Sequence, residues 1–246
     1  MKRITDVAYG THPRQKLDWY LPDNTGFPLM VYIHGGGLEG GRKEEMTAAG
    51  TQLAEAGIGF VSVEYRLYPD AKYPEFIEDA AQAVAWVTAH RAEYGAGEAL
   101  YVGGSSAGGY LSMMLCFDPQ WLAPYGIDPA DITGWIHDAG QPTTHFNVLR
   151  ERGVDTRRLI VDEAAPLYHI GTAERLAPML FIVSDNDMEN RWEQTMLVLS
   201  TLKHFRYDES RIQLKVMHGS HCHYVVIPKE DGSNAFADIV QEYITK

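Results

Sequence analysis

Short apolar runs alternate along this chain with longer segments whose apolar positions recur every three to four residues. KLDWYLP (16–22), LMVYIHG (29–35), IGFVSVEYR (58–66) and ALYVGG (99–104) are rich in β-branched and aromatic residues and have strand length. Between them, 42–56 reads as a helix. A longer helix over 74–94 places Ile77, Ala80, Ala81, Val84 and Val87 on one face. GGYLSMMLCF (108–117) begins another helix and GWIHDAG (134–140) is a short strand. MLFIVSD (179–185), a helix over 192–205, strand IQLKVMHG (212–219) and a helix over 235–243 complete the pattern. Such alternation predicts an α/β fold with a mostly parallel central sheet and helices on both faces. No repeat, low-complexity tract or linker interrupts it, so 1–246 reads as a single domain.

One segment breaks the rhythm. Residues 141–177 begin QPTTHFNVLRERGVDTRRL, polar and mixed in charge, before the next clear strand. An irregular insertion of that size in a compact domain is usually a lid or cap. It precedes MLFIVSD, which puts it near the carboxyl ends of the strands, where open sheets bind ligands.

Composition narrows the partners more than the fold. A net charge of −12 argues against a nucleic acid, because phosphate binding rests on clustered Lys and Arg. No stretch approaches the ~20 apolar residues of a membrane span, and the first fifteen residues lack the apolar core of a secretory signal. Two cysteines, Cys116 and Cys222, give no disulfide framework, and the expected compartment is the reduced cytoplasm. The expected partner is a small molecule. The sequence leaves the oligomeric state open, a homodimer being one option.

Candidate chemistry concentrates in three loops. Gly104-Ser105-Ser106-Ala107-Gly108 fits G-x-S-x-G between a strand and a helix, the setting in which a serine hydroxyl stands exposed on a tight turn. Ser106 has glycine two residues before and two after, whereas Ser105 has Ala107 on its far side, so Ser106 is the nucleophile candidate. The rival reading makes Ser106 a simple helix N-cap. Upstream, His34-Gly35-Gly36-Gly37 follows a buried strand. Its N–H groups, with that of Ala107, are placed to meet a developing oxyanion. The same residues also fit G-x-G-x-x-G, with Glu64 as an acid for a ribose, which would make them a dinucleotide site. Downstream, Asp185 and Asp187 follow one strand, and His218, His221, Cys222 and His223 follow the next. They suit the acid and base that a nucleophilic serine requires, although the aspartates could cap a helix and the His/Cys group could bind metal.

Taken together and in this order, these motifs resemble the α/β-hydrolase superfamily. Within it they are similar to the hormone-sensitive-lipase-like esterases and the small acetyl and feruloyl esterases. The resemblance rests on HGGG at 34–37, VEYRLYPDAKYPEFIEDA at 63–80, GGSSAGG at 103–109, LAPMLFIVSDND at 176–187 and HGSHCH at 218–223. It implies an α/β-hydrolase fold with a short lid insertion and no cofactor or metal. It also implies Ser106 as nucleophile, Asp187 as acid and His221 as base, with Gly36, Gly37 and Ala107 as the oxyanion hole. Asp185 and His223 stand in reserve, and His34 becomes a brace of the glycine loop. The expected activity is hydrolysis of short-chain acyl esters. A polar lid carrying Thr143, Thr144, His145 and Asn147 suggests a carbohydrate acetyl or feruloyl ester. The alternatives are an aryl-formamidase-like amidase and a non-catalytic binding protein of the same fold. Only 33 residues precede HGGG, too few for the larger lipases' N-terminal cap, and SDND and SHCH depart from the family's commoner acid and base loops.

Overall fold

The computed structural model describes residues 1–246. Eight strands form one sheet in the order β1-β2-β4-β3-β5-β6-β7-β8. They are β1 (Lys2–Ala8), β2 (Lys16–Leu21), β3 (Phe27–Ile33), β4 (Gly59–Val63), β5 (Ala96–Ser105), β6 (Gly134–Asp138), β7 (Met179–Ser184) and β8 (Ile212–Met217). β1 pairs antiparallel with β2, and β2 antiparallel with β4. The remaining neighbours are all parallel.

The burial pattern explains why the central strands read so clearly in the sequence. β4, β6 and β7 are buried at every position, because helices cover both faces of a parallel sheet and leave no polar side to alternate with. One core contains side chains of α2 (Glu75–His90), α3 (Ala107–Phe117) and α6 (Arg191–His204). The other contains side chains of α1 (Thr47–Glu55) and α8 (Ala235–Ile244). The predicted helices at 42–56 and 74–94 are each an α-helix joined to a 3₁₀ turn, over Lys43–Met46 and Arg91–Tyr94.

Two strands depart from the expected pattern. β1 was not expected from the sequence. It lies at the sheet edge, mostly exposed, and its KRITDVA offers no apolar run. β8, the opposite edge, is the expected strand but has no buried position, with Leu214 and Val216 40% and 39% exposed.

Segment 141–177 holds two short helices, α4 (Phe146–Glu151) and α5 (Pro166–His169), and its polar side chains correct the expectation of a wet lid. Gln141, Thr143, Thr144, His145 and Asn147 are all buried. Gln141 Nε2 donates to Thr143 Oγ1 and to the Thr144 carbonyl, and Thr144 Oγ1 donates to Asp162 at 2.7 Å. His145 Nδ1 accepts the Asn147 N–H, capping α4, and burial holds its imidazole neutral with a pKa of about 3. These groups bond to one another and to neighbouring protein groups such as Asp162, and of the Asn147 amide only Oδ1 is left without a partner. They are not available to a sugar. No helix of the chain is long and apolar enough to cross a membrane.

Candidate active site

The carboxyl ends of β3, β5, β7 and β8 carry the candidate residues to one place. Gly104 and Gly108 let the chain turn there. A Cβ on Gly104 would lie 2.6 Å from the backbone carbon of Gly108, and one on Gly108 equally close to that of Ile33. Ser106, at the apex, has φ +55 and ψ −114, a strained conformation for a residue with a side chain. Its hydroxyl makes no N-cap bond to α3, which removes the reading of Ser106 as a cap. Instead Ser106 Oγ lies 2.8 Å from His221 Nε2, across 115 residues of sequence.

His221 Nδ1 in turn lies 2.5 Å from Asp187 Oδ1. Asp187 is enclosed, with its side chain 1% exposed, and its oxygens also accept the N–H groups of Met188 and Ser184. Burial acts to raise the Asp187 carboxyl. The His221 hydrogen bond and charge, with the two backbone donors, outweigh it and hold the group below its ordinary value. Asp187 is therefore ionised at neutral pH.

The structure separates the two aspartates that the sequence left as alternatives. Asp185 points outward to His218, with Nδ1 to Oδ2 at 2.6 Å, and accepts the Gly219 N–H. The His218 side chain is 94% exposed, so this pair sits in solvent, away from Ser106. His223, the reserve base, opens the short helix α7 (His223–Val226) and makes no contact with the serine. Cys222 Sγ lies 3.7 Å from His221 Nε2, and burial pushes its thiol pKa well up, so it stays protonated.

The glycine loop completes the arrangement. Gly36 and Gly37 have φ of +109 and +65, and their N–H groups make no hydrogen bond within the protein. The Ala107 N–H opens α3, where a helix leaves its first donors unused. His34 lies beneath the loop. Its Nδ1–H donates to the Gly35 carbonyl at 2.7 Å and its ring stacks on Tyr65, with burial lowering its pKa to about 4. The dinucleotide reading fails here, because no helix begins behind the glycines: the next α-helix starts at Thr47. Glu64, its ribose acid, instead accepts the Lys43 N–H and pairs with Arg14.

Three supporting residues escaped the sequence reading. Asn147, noted only as a polar lid side chain, donates from Nδ2 to the Gly37 carbonyl at 3.2 Å and to Glu39 at 3.3 Å. Asp138 ends β6, where its carboxylate accepts the hydroxyls of Ser105 and Tyr224 and its carbonyl accepts the Ser106 N–H at 2.8 Å. Burial lifts the Asp138 pKa to about 6, against the pull of those two hydroxyls. Its signal was an acid at the end of an apolar strand, on the edge that carries the site. Phe146 packs on the oxyanion loop, its Cζ 3.0 Å from where a Cβ of Gly37 would stand.

A family profile described as BD-FAE matches residues 17–120. The chain is 34% identical over 220 residues to esterase LipC of Mycobacterium tuberculosis, covering 80% of this chain and 54% of that protein. It is 38% identical over 109 residues to the Oryza sativa protein named "Probable isoprenylcysteine alpha-carbonyl methylesterase ICMEL1", covering 43% of this chain and 26% of that one. The chain thus spans about a quarter of the length of the first such relatives and about half of LipC. The crystal structure of esterase B from Lactobacillus rhamnosis superposes with a TM-score of 0.78 at 18% identity, over 99% of this chain and 86% of that one. A likeness at that identity establishes the fold. The chain has the α/β-hydrolase fold of that esterase structure, and its sequence is similar to those of the esterase relatives.

Proposed function

We propose that this chain is a serine carboxylesterase acting on short-chain acyl esters. The observation that carries the reading is the continuous relay from Ser106 Oγ to His221 Nε2 at 2.8 Å and from His221 Nδ1 to Asp187 at 2.5 Å, beside two unused glycine N–H groups. The names of its relatives, an esterase and a methylesterase, support the same class.

His221 takes the Ser106 proton as Oγ attacks the ester carbonyl carbon. The Asp187 carboxylate fixes the imidazole with Nδ1–H facing it and stabilises the imidazolium that forms. Gly36, Gly37 and Ala107 donate to the oxygen as it gains negative charge, a stabilisation of about 3–4 kcal/mol per donor in comparable sites. His221 then returns the proton to the departing alcohol. Water, deprotonated by the same imidazole, attacks the acyl-Ser106, and its collapse releases the acid. Asp138 and Asn147 act through their neighbours, the first on the elbow and the second on the oxyanion loop. Segment 141–177 serves as the cover, and two free thiols suit the cytoplasm as the compartment.

The carbohydrate-ester reading loses the side chains on which it rested, since Thr143, Thr144, His145 and Asn147 are buried and paired. Short-chain acyl esters remain the primary expectation. Incubation with an alkyl p-nitrophenyl phosphonate followed by peptide mass mapping tests the reading. Stoichiometric modification of Ser106 is expected, and an unlabelled protein would instead make the fold a binding module.

A further inference from the structure

Phe146, which packs on Gly37, also lines a cavity of about 480 Å³. Its wall includes Gln141, Phe146, Arg157, Arg158 and Arg191. Three arginines around one cavity are unexpected in a chain of net charge −12, whose general field repels anions.

Arg191 is the informative one. It is 6% exposed and forms no salt bridge, the charge of Asp187 reaching it only at longer range, whereas buried charges are ordinarily paired. Of its five N–H donors, one reaches Gln194 Oε1 at 3.5 Å, and buried Nε has no partner. Burial pulls its pKa down to about 10, so it is still cationic at neutral pH. Glu189 also lines the cavity but is exposed and forms no ion pair with Arg191. Arg191 opens α6, a helix of 14 residues without a side-chain cap, so the positive end of the helix dipole lies at the same wall. Of the two exposed arginines at the cavity, Arg157 is paired with Asp155 at 2.7 Å, and Arg158 adds positive potential there.

We infer that this cavity is a carboxylate subsite, and that the preferred esters carry an anionic carboxylate on one arm, bound by the planar fork of Arg191. Guanidinium and carboxylate match in a bidentate geometry, and the ligand would supply the partner that Arg191 lacks in the protein. The inference rests on the esterase reading above for its substrate, and it adds the substrate's charge. The two places the carboxylate can sit are the acyl arm, as in a half-ester of a dicarboxylic acid, and the alcohol arm, as in an acylated hydroxy acid.

Two matched pairs separate those sources: monoethyl glutarate against ethyl pentanoate, and 4-acetoxybutanoate against butyl acetate. In at least one pair the wild type is expected to favour the anionic ester in kcat/KM by about tenfold or more, the scale of a charge-assisted bond. Arg191→Gln should lower that anionic-to-neutral ratio by about tenfold or more, and Arg191→Lys should restore part of it. A preference for the neutral ester in both pairs, or a ratio that Arg191→Gln leaves unmoved, overturns the inference. If Arg191 served only to tune Asp187, both members of a pair would fall together. Calorimetric titration of glutarate into Ser106→Ala gives a readout that needs no turnover. Binding weakened about tenfold or more by adding Arg191→Gln supports the subsite, and equal or absent binding refutes it even if no ester is hydrolysed.

Discussion

Asp187→Asn and Asp185→Asn, made side by side, probe the division of labour between two acids two residues apart. Asp187 touches His221 at 2.5 Å, and each of its oxygens also accepts a backbone N–H, from Met188 at 2.8 Å and Ser184 at 3.2 Å. An amide NH₂ at either position must therefore face another donor. Turned toward Ser184 it breaks the longer bond, leaves an oxygen for His221 and removes the charge. Turned toward His221 it forces the imidazole into the wrong tautomer. Both orientations leave a buried donor unpaired, a loss of about 1–3 kcal/mol of stability. Together they bracket a fall in kcat of about 10²–10⁴, or about 2.7–5.5 kcal/mol of transition-state stabilisation.

Asp185 stands opposite a histidine that is 94% exposed, and pairs of that kind contribute about 0–1 kcal/mol. Its substitution is expected to leave kcat within about twofold. Initial rates on p-nitrophenyl butyrate, with circular dichroism to confirm folding, decide the matter. An equal loss in Asp185→Asn, or an Asp187→Asn enzyme keeping more than about a tenth of wild-type kcat, would refute the reasoning. The pH dependence carries a second sign. Asp187 has its folded pKa held below the ordinary carboxylate value, so its contribution to stability is present above that value and is lost as pH falls through the folded pKa. Asp187→Asn should flatten the wild type's acid loss.

Three further outcomes are expected. Asp138, with its pKa raised from 3.8 to about 6, favours the folded state most below its ordinary value, and that contribution declines as pH rises through about 6. The shift of about 2 units corresponds to about 3 kcal/mol, so Asp138→Asn should gain that much on wild type between about pH 4 and pH 8 in urea titrations. A pH-independent difference would show that the carboxyl titrates normally. Asn147→Ala removes the donor on the Gly37 carbonyl and should lower kcat about tenfold with KM little changed, in steady-state kinetics. Gly36→Ala places a Cβ against the Gly40 carbonyl at φ +109, so esterase activity should fall about a hundredfold or more, and retained activity would remove this glycine from the oxyanion hole.

Much of the architecture was legible because the central strands are buried on both faces and so appear as uninterrupted apolar runs. The edges were not. β1 has no apolar signature because it faces solvent, and β8 looks apolar yet is half exposed for the same reason. Within the site, Ser106 could be picked out because glycine spacing marks such a position in one dimension, whereas His221 was singled out among the histidines after its strand only by the family resemblance. Asp185 and Asp187 could not be ranked that way: which one turns inward depends on the loop's backbone, where the Met188 and Ser184 N–H groups capture Asp187. The polar residues of 141–177 misled for a related reason. Polarity in a sequence suggests water, and only the fold reveals that Thr144 bonds Asp162, His145 accepts the Asn147 N–H and Asn147 reaches the Gly37 carbonyl. Arg191 carried no signal at all, since an arginine at the start of a helix is ordinarily exposed. Its lack of a partner is a three-dimensional fact.

The central claim is that Ser106 attacks an ester. Turnover of p-nitrophenyl acetate, butyrate and octanoate by wild type and Ser106→Ala, measured together, tests it most directly. The account predicts wild-type hydrolysis that falls with acyl length, and a loss of about 10⁴ or more in a folded Ser106→Ala protein. Hydrolysis that survives the substitution, or a wild type that cleaves none of the three, would contradict it.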